Sequence, residues 1–192
     1  MHWIRKNLSG IIALILLIAV SCIVIYWRTS VEDQPGDYHV RKGNYRLEDG
    51  FYNDAIKEFR TALEKNPSHE GAYLGLAITY MQMEDYDDAL KYFNKTIEVA
   101  PNLAVAYADR GILYDRLGKY KLALKDYRKA LQLDPKLADG PGWLWRFLHN
   151  IHEKPPTIKD RADYLEAELK KPPEKRVLSV PELDRDKRLY KY

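Results

Sequence analysis

The chain has 192 residues, 31% charged and 46% hydrophobic, with a net charge of +3 and a single cysteine. That length holds one domain of ordinary size plus additions, and the near balance of charge gives no electrostatic case for a nucleic-acid partner. One cysteine excludes an internal disulfide and a cysteine zinc cluster, and the lack of a C-x-x-C-H run excludes covalent haem attachment.

Residues 1–7 read as a short tail carrying Arg5 and Lys6. No charge then occurs before Arg28, and the run includes Leu8, Ile12, Leu16, Val20, Ile25 and Trp27. A helix of about 20 apolar residues crosses a hydrocarbon core of about 30 Å. Residues 8–28 are therefore predicted to be a transmembrane helix, with the lipid bilayer as a partner. Trp3 at one end and Tyr26–Trp27 at the other fit the aromatic belt of a membrane interface. A cleaved signal peptide would have a shorter apolar region ending in small residues, whereas Ile23, Val24 and Ile25 carry this run past its small-residue cluster. That cluster, Ala19-Val20-Ser21-Cys22, loosely resembles the lipobox of bacterial lipoproteins. The residues after the cysteine are polar in that family and apolar here, so Cys22 reads as a small residue within a helix.

Arg5, Lys6 and the amino terminus favour a cytoplasmic N-terminus, while Arg28, Arg41 and Lys42 weaken that count from the other side. Because long domains translocate largely regardless of charge, the predicted topology is single-pass in an inner (cytoplasmic) membrane, with the following domain in the periplasm. The opposite topology, a cytosol-facing domain on an organelle membrane, is the alternative.

Residues 29–35 form a linker, and then the sequence repeats. At a shift of 34, Gly43, Ala77 and Gly111 align, as do Ala55, Ala89 and Ala123; Phe59, Phe93 and Tyr127; and Pro67, Pro101 and Pro135. Tyr73 matches Tyr107, Tyr80 matches Tyr114, and Tyr52, Tyr86 and Tyr120 form a further column. Small residues in both helices of a pair allow close approach, the aromatic column fills the space between pairs, and each proline stops a second helix.

These columns resemble the signature of the tetratricopeptide repeat (TPR) family over residues 36–135. The first copy is degenerate, with His39, Lys42 and Arg46 where the family has large apolar or aromatic residues. The resemblance implies an all-α fold: a solenoid of three helical hairpins whose pairs stack because one pair cannot bury its own apolar face. Such a stack needs a cap. Residues 136–171 are predicted to supply capping helices, first Pro141–Ile151, with Leu144, Phe147, Leu148 and Ile151 on one face. Thr157 and Asp160 then resemble a capping box, and Ile158, Ala162, Leu165 and Leu169 make the stripe of an amphipathic helix over 158–171, expected to pack on that first cap. His149 and His152 lie one turn apart without a third ligand, so no metal site is predicted. Residues 172–192 read as an extended C-terminal tail; disorder, packing along the solenoid and threading onto a partner all stay open.

The resemblance implies a binding function on the concave face, lined by the first helix of each pair. The residues it places there are Val40, Asn44 and Leu47; Leu74, Ile78 and Met81; then Val105, Ala108, Ile112 and Asp115. The same face can instead be covered by the chain's own cap or tail. One TPR subfamily clamps the C-terminal carboxylate of chaperones there; of its residues only Asn44 agrees, and apolar residues such as Val40 stand at other clamp places. That predicts an apolar or amphipathic protein segment as ligand. The sequence has no phosphate loop, nucleophile elbow or metal cluster, so neither enzyme activity, cofactor nor small-molecule substrate is predicted. The expected function is that of a membrane-tethered scaffold: an assembly factor, or an accessory subunit of a bacterial envelope complex.

Overall fold

The computed structural model describes residues 13–23, 34–140 and 156–179. The chain divides into two units, Met1–Gln34 and Pro35–Tyr192.

In the first unit, residues 13–23 are helical (α1). Leu14, Ile15, Leu16, Leu17, Ile18, Val20 and Ile23 are all exposed, so the helix is apolar around its whole circumference and buries none of it. The Ser21 hydroxyl donates to the Leu17 carbonyl at 2.8 Å and is thereby satisfied within the helix. Of the predicted anchor residues, Leu16 and Val20 lie on α1, while Leu8, Ile12, Ile25 and Trp27 fall outside the described residues. Among the described residues, no helix is long and apolar enough to cross a membrane.

The second unit is a stack of helical hairpins: α2 (Asp37–Glu48) with α3 (Tyr52–Lys65), α4 (Glu70–Gln82) with α5 (Tyr86–Val99), and α6 (Ala104–Arg116) with α7 (Tyr120–Leu133). A final helix, α8 (Ile158–Lys170), follows, and the described residues contain no strand. Each second helix ends two residues before its proline. Asn66, Ala100 and Asp134 are the C-caps ahead of Pro67, Pro101 and Pro135. Tyr73 and Tyr107 then reach back, their hydroxyls donating to the carbonyls of Pro67 and Pro101 at 3.0 and 3.1 Å. One repeat column thus fastens each helix start to the turn before it.

The turn inside each hairpin needs one residue with positive φ. Gly50 (79°) and Gly118 (68°) supply it, and Glu84 (62°) stands at the equivalent place. The following amide closes each turn, as where Phe51 donates to Arg46 O and Asp85 to Tyr80 O at 2.8 and 2.9 Å. A left-handed residue with a Cβ is strained by about 1–2 kcal/mol. Part of that cost is offset because glycine loses more entropy on folding. Glu84→Gly is therefore expected to stabilise the fold by about 0.5–1 kcal/mol, read from the urea midpoint. A lowered midpoint would count against the strain.

The core runs through all three hairpins. Ala55, Phe59, Leu76, Ala77, Ala89, Phe93, Ala106, Leu113, Ala123 and Tyr127 are at most 1% exposed. The polar substitutions of the first repeat turn out to be paired. Lys42 donates to Glu58 at 2.7 Å, and His39 Nδ1 lies 2.8 Å from the same carboxylate. The equivalent residues in the third hairpin, Arg110 and Asp126, make a bidentate pair at 2.7 and 2.9 Å. In the second they are Leu76 and Tyr92. The first and third hairpins thus carry an ion pair at this pair of columns, where the second carries apolar and aromatic residues.

Part of the C-terminal cap lies among the described residues. Helix α8 has the predicted capping box, Thr157 Oγ1 accepting from Asp160 N at 3.2 Å and Asp160 Oδ2 accepting from Thr157 N at 2.9 Å. It packs on the last hairpin. Ile158, Ala162 and Leu165 enter the common core, and Arg128 of α7 binds Asp163 and Glu166. Residues 141–155, with the predicted first cap and the histidine pair, lie outside the described residues. A bare last helix accepts whichever apolar stripe reaches it, and the stripe of α8 does.

Candidate partner-binding face

Positions four and seven apart on a helix share a face, so the predicted site residues form three parallel rows on α2, α4 and α6. The structure divides them. Leu74, Met81, Ala108, Ile112 and Asp115 are all sealed, none more than 3% exposed. Val40, Leu47, Ile78 and Val105 are half-buried, and Asn44 is exposed. The residues left open or partly open are therefore Val40, Asn44 and Leu47 on α2, Ile78 on α4 and Val105 at the start of α6, four of them apolar.

The burial of Asp115 has a specific cause. Asp115 sits where the first two repeats have Leu47 and Met81, and Tyr127 where they have Phe59 and Phe93. These two departures meet a third residue. Arg161 of α8 donates from Nε to Asp115 Oδ2 and from Nη2 to Oδ1, both at 2.8 Å, and the Tyr127 hydroxyl donates to Oδ2 at 3.1 Å. Asp115 was assigned to the ligand face by position, and the structure places it under the chain's own last helix. The signal was present in the sequence, since an Asp in an apolar column together with a Phe-to-Tyr change marks a polar acceptor. Its partner, 46 residues away, was not readable from it.

Beyond α8 the chain turns through Pro173–Lys175 and runs back along the helix. Arg161 also donates to Leu178 O at 2.8 Å, Tyr164 to Val177 O at 2.6 Å, and the Val177 amide donates to Glu168 Oε2 at 2.8 Å. Leu178 packs against the core. Of the three readings of the tail, packing in cis thus applies to residues 176–179, while 180–192 lie outside the described residues.

Acid should loosen this end. Hydrogen bonds from Arg128 and then Lys170 lower the pKa of Glu166, those from Lys159 and then Arg128 lower Asp163, and those from Lys171 and the Val177 amide lower Glu168. Each folded value lies below the unfolded one, so the stabilisation is complete above the unfolded carboxylate pKa and disappears as pH falls through the folded values. Docking of α8 is therefore expected to weaken below about pH 4, seen as shifts of the Tyr164 and Leu165 NMR signals before the hairpins unfold. Unchanged signals down to the global acid transition would contradict it.

The tetratricopeptide-repeat family model matches residues 68–136. Among solved structures, the first TPR of Spaghetti (RPAP3) bound to the HSP90 peptide SRMEEVD is similar at 26% identity and a TM-score of 0.51, over 55% of this chain and 83% of that one. The Arabidopsis OM64 TPR domain is similar at 24% identity and a TM-score of 0.51, over 53% of this chain and 84% of that one. MamA is similar at 20% identity and a TM-score of 0.50, over 59% and 67%. The latter two likenesses speak to the fold alone. No curated protein matches the chain. The hairpin stack is a TPR-like helical solenoid.

Proposed function

We propose that this TPR-like chain is a membrane-tethered scaffold that binds a protein segment on the open first-helix face, as an assembly factor or accessory subunit of a bacterial envelope complex. The observation that carries the binding reading is the set of half-buried apolar residues Val40, Leu47, Ile78 and Val105 on the first helices, which stay partly open while Asp115 on the same face is taken by Arg161 of α8. Residues of that chemistry suit an extended or helical segment presenting apolar side chains. The similar RPAP3 domain holds a peptide, which agrees with peptide recognition as the kind of function. The ligand proposed here differs in chemistry, since Val40 offers no charge for a terminal carboxylate.

Tethering is supported by α1. A helix apolar on every side is stabilised by an apolar medium and not by water. It lies within a run that carries no charge from residue 7 to residue 27. The proposed topology puts the N-terminus in the cytoplasm and the solenoid in the periplasm. Protease treatment of sealed inverted membranes tests it, with protection of the solenoid as the expected result; digestion would favour the cytosol-facing alternative.

A photo-cross-linker at Ile78 tests the face itself. It is expected to trap a defined protein, and Ile78→Asp is expected to lower capture at least tenfold, since an unpaired carboxylate would be buried on binding. Unchanged capture by a variant with native circular dichroism would remove the face from the proposal.

A further inference from the structure

The stacking geometry repeats, and one of its faces is left over. On α4, Ala72, Gly75 and Thr79 are buried, and on α6 the equivalents Ala106, Asp109 and Leu113 are buried in the same way. These residues face the preceding hairpin. A Cβ at Gly75 would lie 2.3 Å from Phe59 Cε1, so that position admits no side chain. On α2 the same three positions hold Tyr38, Arg41 and Tyr45. All three are exposed, the two tyrosines at 64% and 69%.

This is not an unfinished stack. An incoming hairpin of the same kind would need small residues to seat its aromatic column, and here it would meet two phenol rings and a guanidinium. A second copy of the chain cannot add head to tail by that geometry. Nor is the face the polar surface that a solvated terminal repeat requires. Two amphipathic aromatic rings two turns apart, with a cation between them, match the chemistry of the lipid headgroup layer, where Tyr rings and basic side chains concentrate. The chain length agrees. From Trp27 to Asp37 the chain spans at most about 35 Å when fully extended, so α2 is held close to any bilayer that the apolar segment enters.

We propose that the outer face of α2, formed by Tyr38, Arg41 and Tyr45, docks on the lipid headgroup layer and sets how the solenoid stands on the membrane. The proposal rests on the membrane-tethered reading, and its test separates the two. The full chain carrying Cys22→Ser would be spin-labelled through Glu48→Cys, one turn beyond Tyr45, or through Leu122→Cys, which is exposed on the last hairpin. Both would be reconstituted in phosphatidylcholine–phosphatidylglycerol vesicles. The label at 48 is expected to collide several-fold less with an aqueous nickel complex than the label at 122. Tyr38→Ser/Tyr45→Ser should abolish that difference; because both rings are exposed, the hairpin should stay folded, which circular dichroism checks. Equal collision rates at 48 and 122, with the protein still resisting carbonate extraction, would overturn the docking face and leave the anchor standing. Release by carbonate would overturn the anchor. Shielding that disappears when the protein is diluted in lipid would reveal a contact between copies, and would also overturn the proposal.

Discussion

Replacing Arg161 by Met is expected to destabilise the solenoid by about 3–5 kcal/mol, because it leaves the Asp115 carboxylate buried without its guanidinium. The side chains of Asp115 and Arg161 are 0% and 5% exposed, so water cannot take over the charge. A buried pair broken on one side costs far more than a pair replaced on both sides. Asp115→Leu/Arg161→Met is therefore expected to recover most of the loss, since Leu at 115 would match Leu47 in the first repeat and Met at 161 keeps an apolar side chain of similar length over it. Urea unfolding of both variants measures this. A single variant that loses less than about 1 kcal/mol would show that solvent or another cation reaches Asp115. The double variant should still free residues 176–179, because the bond from Arg161 to Leu178 O is lost with the guanidinium. Faster amide exchange there, in a protein of near-native stability, would separate the tether from the fold.

Gly75→Ala is expected to destabilise by about 1–3 kcal/mol, the reverse of what helix propensity alone predicts. Alanine is favoured over glycine inside a helix by about 0.8–1.0 kcal/mol. Its Cβ, however, would lie 2.3 and 2.4 Å from Cε1 and Cζ of Phe59, a fully buried ring that also abuts Gly43 on the other side, where a Cβ would lie 2.6 Å away. The ring is held between α2 and α4 and has nowhere to move, so steric conflict outweighs propensity. Gly71→Ala, on the same helix, is the control. Its nearest neighbours would be 3.4 Å away, an ordinary contact, and it is expected to be neutral or stabilising. Phe59→Leu should suppress the Gly75→Ala defect, a non-additivity that a double-mutant cycle reads directly. Equal effects at positions 71 and 75 would refute the account.

The two predictions concern contacts of different origin. Phe59 between two glycines belongs to the repeat, and each side of that contact recurs or is replaced in register. The contact of Arg161 with Asp115 belongs to the end of the stack, where the repeat stops and a different helix must be received. Burial of the predicted site residues has both origins, since Leu74 and Met81 on α4 are sealed as well. Val40, Asn44, Leu47 and Ile78 follow from helical spacing on α2 and α4, and they stay open or partly open. Ala108, Ile112 and Asp115 follow from the same spacing on α6. Spacing alone does not reveal that Arg161 of α8 reaches Asp115.

By itself the sequence determined the hairpins, their boundaries at Pro67, Pro101 and Pro135, the capping box of α8 and the apolar character of the N-terminal run. It could do so because helical spacing, caps and a period of 34 residues are local rules, each expressed within one or two turns of chain. The tertiary structure alone decided that α8 packs on α7, that Asp115 is a buried acceptor, that the first repeat's polar residues pair across its hairpin, and that Tyr38 and Tyr45 on the outer face of α2 are exposed. Two of these, the seating of α8 and the burial of Asp115, depend on ion pairs 35 to 46 residues apart in the chain. No period brings such residues together; they meet because the last apolar helix face must be covered.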